Sequence, residues 1–447
     1  MSNQSYWLRD VRSVWHPYSR IREIEAEVFP TIVRGDGIYL YDSDGNRYID
    51  GISSWWACNL GHGYPRIVEA IRRQAGELQH SMIGGASHPA IIELSELLIS
   101  ACPTGLTRAF FASDGSSAVE AAIKIAVQYW RNIGRPERTG FASLEAGYHG
   151  DTLGAVSAGM IETFHSPYRA LLFEVHRAKS PYCYRCPEGK EPAGCLTECF
   201  SSMETIIEEH HAELAAVIVE PLNQAGGGMR VYPAEYVAKL KALCGKHEVL
   251  LIADEIAMGY GRSGRMWACD HASVAPDILC LGKGMAAGYL PISATVVTDE
   301  IYSSFIDTPE EDRTFYHGHT FSGNPIAAAA AAETLRVYED EQILDRAVCA
   351  AREMSAQLGY LAALDCVGDT RQIGLVGAIE FVEDKAARTP YPPEKRLERS
   401  ICMEARRRGA LLRPIGSVLY LWPPLITSPE QIRELAAILA DSIKSVV

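Results

Sequence analysis

Short apolar runs recur through the middle of the chain, each closed by a charged or glycine-rich segment. Leu214 to Glu220, Val249 to Asp254 and Asp277 to Leu281 carry apolar residues at consecutive positions rather than alternate ones. A strand that is apolar on both sides is covered on both faces, which is the pattern of a parallel sheet lying between helices. After the first run come a glycine-rich turn and a helical pattern from about Pro233 to Lys246. The alternation predicts a large α/β domain over residues 60–325, with a mostly parallel sheet covered by helices.

The flanks read differently. Within residues 1–59, Gly37 to Asp42 and Arg47 to Asp50 flank the turn residues Ser43-Asp44-Gly45-Asn46, which predicts a hairpin. Residues 326–447 begin with an alanine-rich helix. Strands follow near Gly374–Phe381 and Val418–Leu421, and a last helix starts at about Pro429. The two ends are expected to share a smaller α+β domain packed on the first.

Composition narrows the function classes. A chain of 447 residues has room for two domains, and 47% hydrophobic with 22% charged residues is ordinary for a globular protein. The net charge of −14 argues against general nucleic-acid binding. The first ten residues lack the basic start and apolar stretch of a secretory signal. The bland stretch from Ile326 to Ala332 is too short to cross a bilayer, so no membrane is expected and the cytoplasm is the expected location. Most of the twelve cysteines stand singly in apolar contexts. Cys183, Cys186, Cys195 and Cys199 are clustered. Four thiolates at this spacing could close a tetrahedral zinc site; reduced thiols on a surface loop are the alternative.

The candidate chemistry lies at strand ends. Asp254 closes one apolar run, and Lys283 follows another 29 positions later (283 − 254). An amine able to condense with an aldehyde, and a carboxylate able to keep a pyridine nitrogen protonated, are the two charged groups that pyridoxal phosphate chemistry needs. Gly115 and Ser116 precede a helical pattern through Val119, Ala122, Ile123, Ala126, Tyr129 and Trp130, so backbone N–H groups stand ready for a phosphate. Tyr148 lies in Gly147-Tyr148-His149-Gly150-Asp151, where an aromatic ring beside glycines can lie flat on a planar group. Glu220 closes the Leu214 run at the edge where ligands bind in open α/β sheets.

Taken with Gly259-Tyr260-Gly261-Arg262-Ser263-Gly264, the order and spacing of these segments resemble the class III, fold-type I pyridoxal-phosphate aminotransferases over almost the whole chain. Trp15-His16-Pro17-Tyr18, Ser53-Ser54-Trp55-Trp56, Gln128-Tyr129-Trp130, Ile252 to Ala257 and Leu412-Arg413-Pro414 resemble the branch that aminates 8-amino-7-oxononanoate in biotin synthesis. The resemblance implies that Lys283 bonds the cofactor and moves the substrate proton, and that Asp254 pairs with the ring nitrogen. It implies that Gly115 and Ser116 hold the phosphate, that Tyr148 stacks on the ring and that Glu220 adjoins the cofactor. Thr320 matches a threonine that completes the phosphate site of the other subunit, which implies a homodimer with shared active sites. The small-molecule partners implied are a keto acid and an amino donor. Tyr18, Trp55, Trp56 and Tyr148 are expected as the wall of the keto-acid pocket, with Tyr420 and His319 also at the substrate and Arg413 as the clamp for its carboxylate.

Two departures stand beside this. Gly318-His319-Thr320 has histidine where the adenosylmethionine-using enzymes have proline, so the donor is either adenosylmethionine or lysine. The segment from Cys183 to Cys199 resembles an insert of omega-amino acid and taurine transaminases, which use pyruvate; that is the alternative substrate class.

Overall fold

The computed structural model describes residues 1–191 and 194–447. Its largest sheet has seven strands, in the order Leu106–Ala112, Ser293–Thr298, Ile278–Leu281, Leu250–Asp254, Leu214–Val219, Gly140–Leu144 and His176–Ala178. Ser293–Thr298 runs antiparallel to both its neighbours, and the other recorded pairings are parallel. The fold is therefore the expected α/β arrangement. The central strands Leu214–Val219, Leu250–Asp254 and Ile278–Leu281 are buried at every position, as their unbroken apolar runs require.

The register gathers the strand ends. Ala253 pairs with Val219, Asp254 with Cys280, and Ile218 with Ser143. Glu220, Asp254, Lys283 and the loop after Leu144 therefore leave the sheet along one edge. The helix Gly115–Asn132 starts from that same edge, three residues after the strand Leu106–Ala112. It buries Val119, Ala122, Ile123, Ala126, Tyr129 and Trp130, the stripe expected of an amphipathic helix.

Two four-stranded sheets flank this layer. Tyr39–Asp42 and Arg47–Asp50 form the hairpin, with Ile32–Asp36 on one side and Ala410–Leu411 on the other. The N-terminal and C-terminal segments thus meet in one sheet. The other joins Val367–Ile373, Val376–Phe381, Val418–Leu421 and Pro414–Ile415. Its first strand, Val-Gly-Asp-Thr-Arg-Gln-Ile, is too polar to stand out from the sequence; it is recruited as the hairpin partner of the buried strand Val376–Phe381. No helix among the described residues is long and apolar enough to cross a membrane.

Candidate active site

Two cavities, each of about 470 Å³, open at the gathered strand ends and share Trp56, Tyr148 and Lys283 in their walls. The inner one is lined by Gly115, Ser116, Glu220 and Asp254 as well. The outer one takes in Tyr18, Trp55, Arg413 and Tyr420. His319 and Thr320 line neither.

The inner cavity is an anion turn at one end and a carboxylate at the other. Asp114 caps the helix Gly115–Asn132 by accepting from the Ser117 N–H, at 3.0 Å. Gly115 and Ser116 line this cavity, and their N–H groups have no acceptor among the described residues. The Ser116 hydroxyl lies 2.8 Å from that of Thr152 and accepts the Thr152 N–H. Only a residue without Cβ fits at Gly150, where φ is 126° and an added Cβ would lie 2.3 Å from Ser116 Oγ.

Asp254 is buried. Its Oδ2 accepts from His149 Nδ1 at 2.8 Å and its Oδ1 from the Ile256 N–H at 3.1 Å. Glu220, also buried, accepts from the N–H groups of Tyr148 and Ala225 at 2.9 and 3.0 Å. Burial, with the Asp254 charge adding to it, pushes its carboxyl up to about 7. Lys283 sits in a left-handed conformation, φ 34°, with its amine 5.1 Å from the Trp56 ring centre. Desolvation lowers its pKa and outweighs the opposing pull of Asp254, Glu220 and Asp151.

Tyr148 is held by its backbone to Glu220 and by its hydroxyl to Asp151, at 2.9 Å. Its ring stacks on His165, with 6.1 Å between centroids. The Tyr18 hydroxyl donates to the same Asp151 at 2.5 Å. Burial and that carboxylate raise the Tyr18 phenol to about 12, so it is a donor at neutral pH. Asp151 and His149 were within the segment read for Tyr148, yet their pairing follows from the fold and not from the segment.

The outer cavity is aromatic near Lys283 and cationic beyond it. Ser53 to Trp56 have φ of 48°, 45°, 71° and 74°, a complete left-handed turn that costs roughly 1–2 kcal/mol per residue. Trp56 stacks on Trp422 at 4.9 Å and meets Tyr420 edge-on at 5.8 Å. Trp55 lies under the Arg413 guanidinium, 4.0 Å from ring centre to Cζ. Five arginines line this cavity. Arg20, Arg396, Arg399 and Arg406 face Glu23 or Glu27. Arg413 has no carboxylate partner among the described residues; Nη2 donates weakly to the Tyr18 carbonyl, at 3.4 Å.

Cys183, Cys186, Cys195 and Cys199 lie near one another, the first three adding to the burial that raises the Cys199 thiol. Among the described residues, the set of three or more ligand atoms within 4.8 Å of one another is His176, His210 and Glu213. There the imidazole rings are stacked 3.9 Å apart, so a single ion cannot lie in both ring planes. Cys195 Sγ is engaged by the Thr197 N–H and the Glu198 carboxylate, and burial raises the Cys199 thiol to about 11.

The family profile of the class III aminotransferases matches residues 22–443. The chain belongs to the class III aminotransferases. Members of this family depend on pyridoxal phosphate. The chain is 41% identical over 438 residues to the adenosylmethionine-8-amino-7-oxononanoate aminotransferase of Geobacter sulfurreducens, covering 98% of this chain and 97% of that one. The crystal structure of the enzyme of the same name from Methanocaldococcus jannaschii superposes with a TM-score of 0.95 at 37% identity, over the full length of both chains. An amine transaminase from an uncultivated Pseudomonas species, solved in its PLP-bound form, superposes with a TM-score of 0.92 at 36% identity, over 97% and 99%. The residues of the inner cavity suit this cofactor: two N–H groups without acceptors among the described residues, a buried carboxylate and an amine line the same space.

Proposed function

We propose that this aminotransferase transfers an amino group to 8-amino-7-oxononanoate, giving 7,8-diaminononanoate, with adenosylmethionine as donor. The observation that carries the reading is Arg413, a cation without a carboxylate partner among the described residues, in a cavity that also holds Trp55, Trp56 and Lys283. A keto acid with an apolar chain and a distant carboxylate matches that order of surfaces. The names of the Geobacter and Methanocaldococcus relatives support both substrate and donor.

Bound pyridoxal phosphate supplies an aldehyde carbon conjugated to an electron-accepting ring, which takes up the amino group from the donor and gives it to the keto acid. Gly115 and Ser116 would hold its phosphate through backbone N–H groups and the Ser116 hydroxyl. Asp254, braced by His149, would keep a proton on the ring nitrogen. Tyr148 would stack on the ring, fixed in place by Glu220 and Asp151. Lys283, partly desolvated and so disposed to be neutral, would bond the cofactor and carry the proton at the reacting carbon. Trp55, Trp56, Tyr18 and Tyr420 would exclude water along the chain of the keto acid.

The segment holding His319 and Thr320 lies outside both cavities, and its neighbours Tyr316 and Phe321 are 82% and 61% exposed. In the reading proposed here that segment covers the inner cavity of a second copy, and the working unit is a homodimer. Thr320→Ala should then weaken cofactor retention, measured as cofactor lost on gel filtration; unchanged retention would remove Thr320 from the site. The twelve free thiols suit a reducing compartment such as the cytoplasm.

Arg413→Ala is expected to raise KM for the keto acid about 10- to 100-fold, the value of a charged hydrogen bond lost, with a smaller change in kcat. The whole reading is tested by incubating holoenzyme and keto acid with adenosylmethionine, lysine or a simple amine, and measuring diaminononanoate. No product from any donor overturns it. Efficient transfer from simple amines to pyruvate instead would move the chain to the amine transaminases, which the Pseudomonas likeness keeps in view.

A further inference from the structure

The left-handed turn Ser53–Trp56 contains no glycine, so its Cβ atoms oppose it and a group outside the turn must hold it. Asp50 is that group. Its carboxylate is 1% exposed. Oδ1 accepts from the N–H groups of Ile52 and Ser54, at 3.3 and 2.9 Å. Oδ2 accepts from the Ser54 hydroxyl at 2.7 Å and from His62 Nε2 at 2.9 Å. Burial disfavours the His62 cation, but the Asp50 hydrogen bond and the nearby Cys58 thiol more than offset it and raise it to about 9. His62 is therefore a cation at neutral pH, and three of the four bonds to the Asp50 carboxylate fall on the turn or its entry.

Packing carries this to the outer cavity. The turn sets Trp56 against Lys283 and Trp55 beneath Arg413. Asp50 also pairs in register with Leu411, two residues before Arg413. One carboxylate thus stands where both walls of the cavity begin. Ser53 is anchored separately, to the Trp422 carbonyl and to Arg262, so loss of Asp50 frees chiefly Ser54 and Trp55.

We infer that Asp50 is a positioning residue for the keto-acid cavity: it touches neither substrate nor cofactor, and it holds Trp55 and, through it, Arg413 by keeping Ser53–Trp56 left-handed. The inference rests on the proposed transfer to a long-chain keto acid.

Asp50→Ala and Asp50→Leu holoenzymes test it, Leu, of similar shape and without an acceptor, serving where Ala folds poorly. KM for 8-amino-7-oxononanoate should rise about tenfold in the Ala variant, with kcat within about threefold. Adding Ser54→Gly to Asp50→Ala should recover most of the KM, because glycine takes a φ near 45° without a Cβ clash. A crystal structure of the Ala or Leu variant, neither of which offers an acceptor to the Ile52 and Ser54 N–H groups, should show Ser54 and Trp55 out of the left-handed region. Unchanged KM, no recovery with glycine, or a turn still left-handed without the Asp50 carboxylate overturns the inference. If the wild-type protein refuses this keto acid, the functional reading fails alone, and the crystal structure still decides what Asp50 does.

Discussion

Replacing Lys283 with alanine is expected to lower turnover about 10³-fold or more, the range set by loss of a positioned acid–base group. The reason is local. Lys283 leaves the sheet edge in a strained left-handed conformation, and its amine lies 5.1 Å from the Trp56 ring centre, in the wall shared by the two cavities. Burial drives its pKa down, against Asp254, Glu220 and Asp151. A neutral amine at that point can act as nucleophile and base; a surface lysine at the same pH is almost wholly protonated. Lys283→Arg should fail as badly, because a guanidinium stays charged. The phosphate turn is untouched by either change, so cofactor should still bind, and small primary amines in the buffer should restore part of the alanine variant's rate. Turnover, together with cofactor content after gel filtration, checks this. A variant that keeps a tenth of wild-type turnover would remove Lys283 from the chemistry.

Much of this edge could be read from the sequence. Apolar runs that end in Glu220, Asp254 and Lys283 mark buried parallel strands, and in such a sheet the runs end on one side. The Gly115-Ser116 turn is a local signal as well, because a helix N-terminus is made by adjacent residues. What the sequence could not show is which distant groups meet. His149 and Asp254 are 105 positions apart, and Tyr18 and Asp151 are 133 apart. Asp151 therefore reads as a loop acid until the fold brings two phenols to it. Arg399 and Arg406 look like helix surface until the fold brings Glu23 and Glu27 to them, which leaves Arg413, already marked by the Leu412-Arg413-Pro414 segment, as the cation free to meet a carboxylate among the described residues. The turn at Ser53–Trp56 was the least legible feature. No glycine announces it, and it exists because Asp50, four residues before Ser54, is buried at the end of a strand.

Asp254→Asn is expected to cost about 10²- to 10³-fold in kcat, with little change in KM for either substrate. An anion within hydrogen-bond reach raises the pKa of a cationic ring nitrogen by roughly 1–3 units, and each unit is about 1.4 kcal/mol. Removing the charge but not the shape removes that preference, so the electron-accepting strength of the ring falls while the fit of the substrates does not. The loss should appear in both half-reactions, followed separately by rapid mixing with donor or keto acid, because the same ring serves both. Asn keeps the side-chain volume and can still accept the Ile256 N–H, so the holoenzyme should stay folded. Asp254→Ala is a different experiment. It leaves His149 buried without its 2.8 Å partner, and a buried polar group left unsatisfied typically costs about 1–3 kcal/mol of stability. The two variants therefore separate chemistry from structure: Asn should lose rate at near-normal melting temperature, and Ala should lose both. A normal rate in the Asn variant would mean that the Asp254 charge does not reach the ring, and the carboxylate would then be a brace for His149 rather than part of the chemistry.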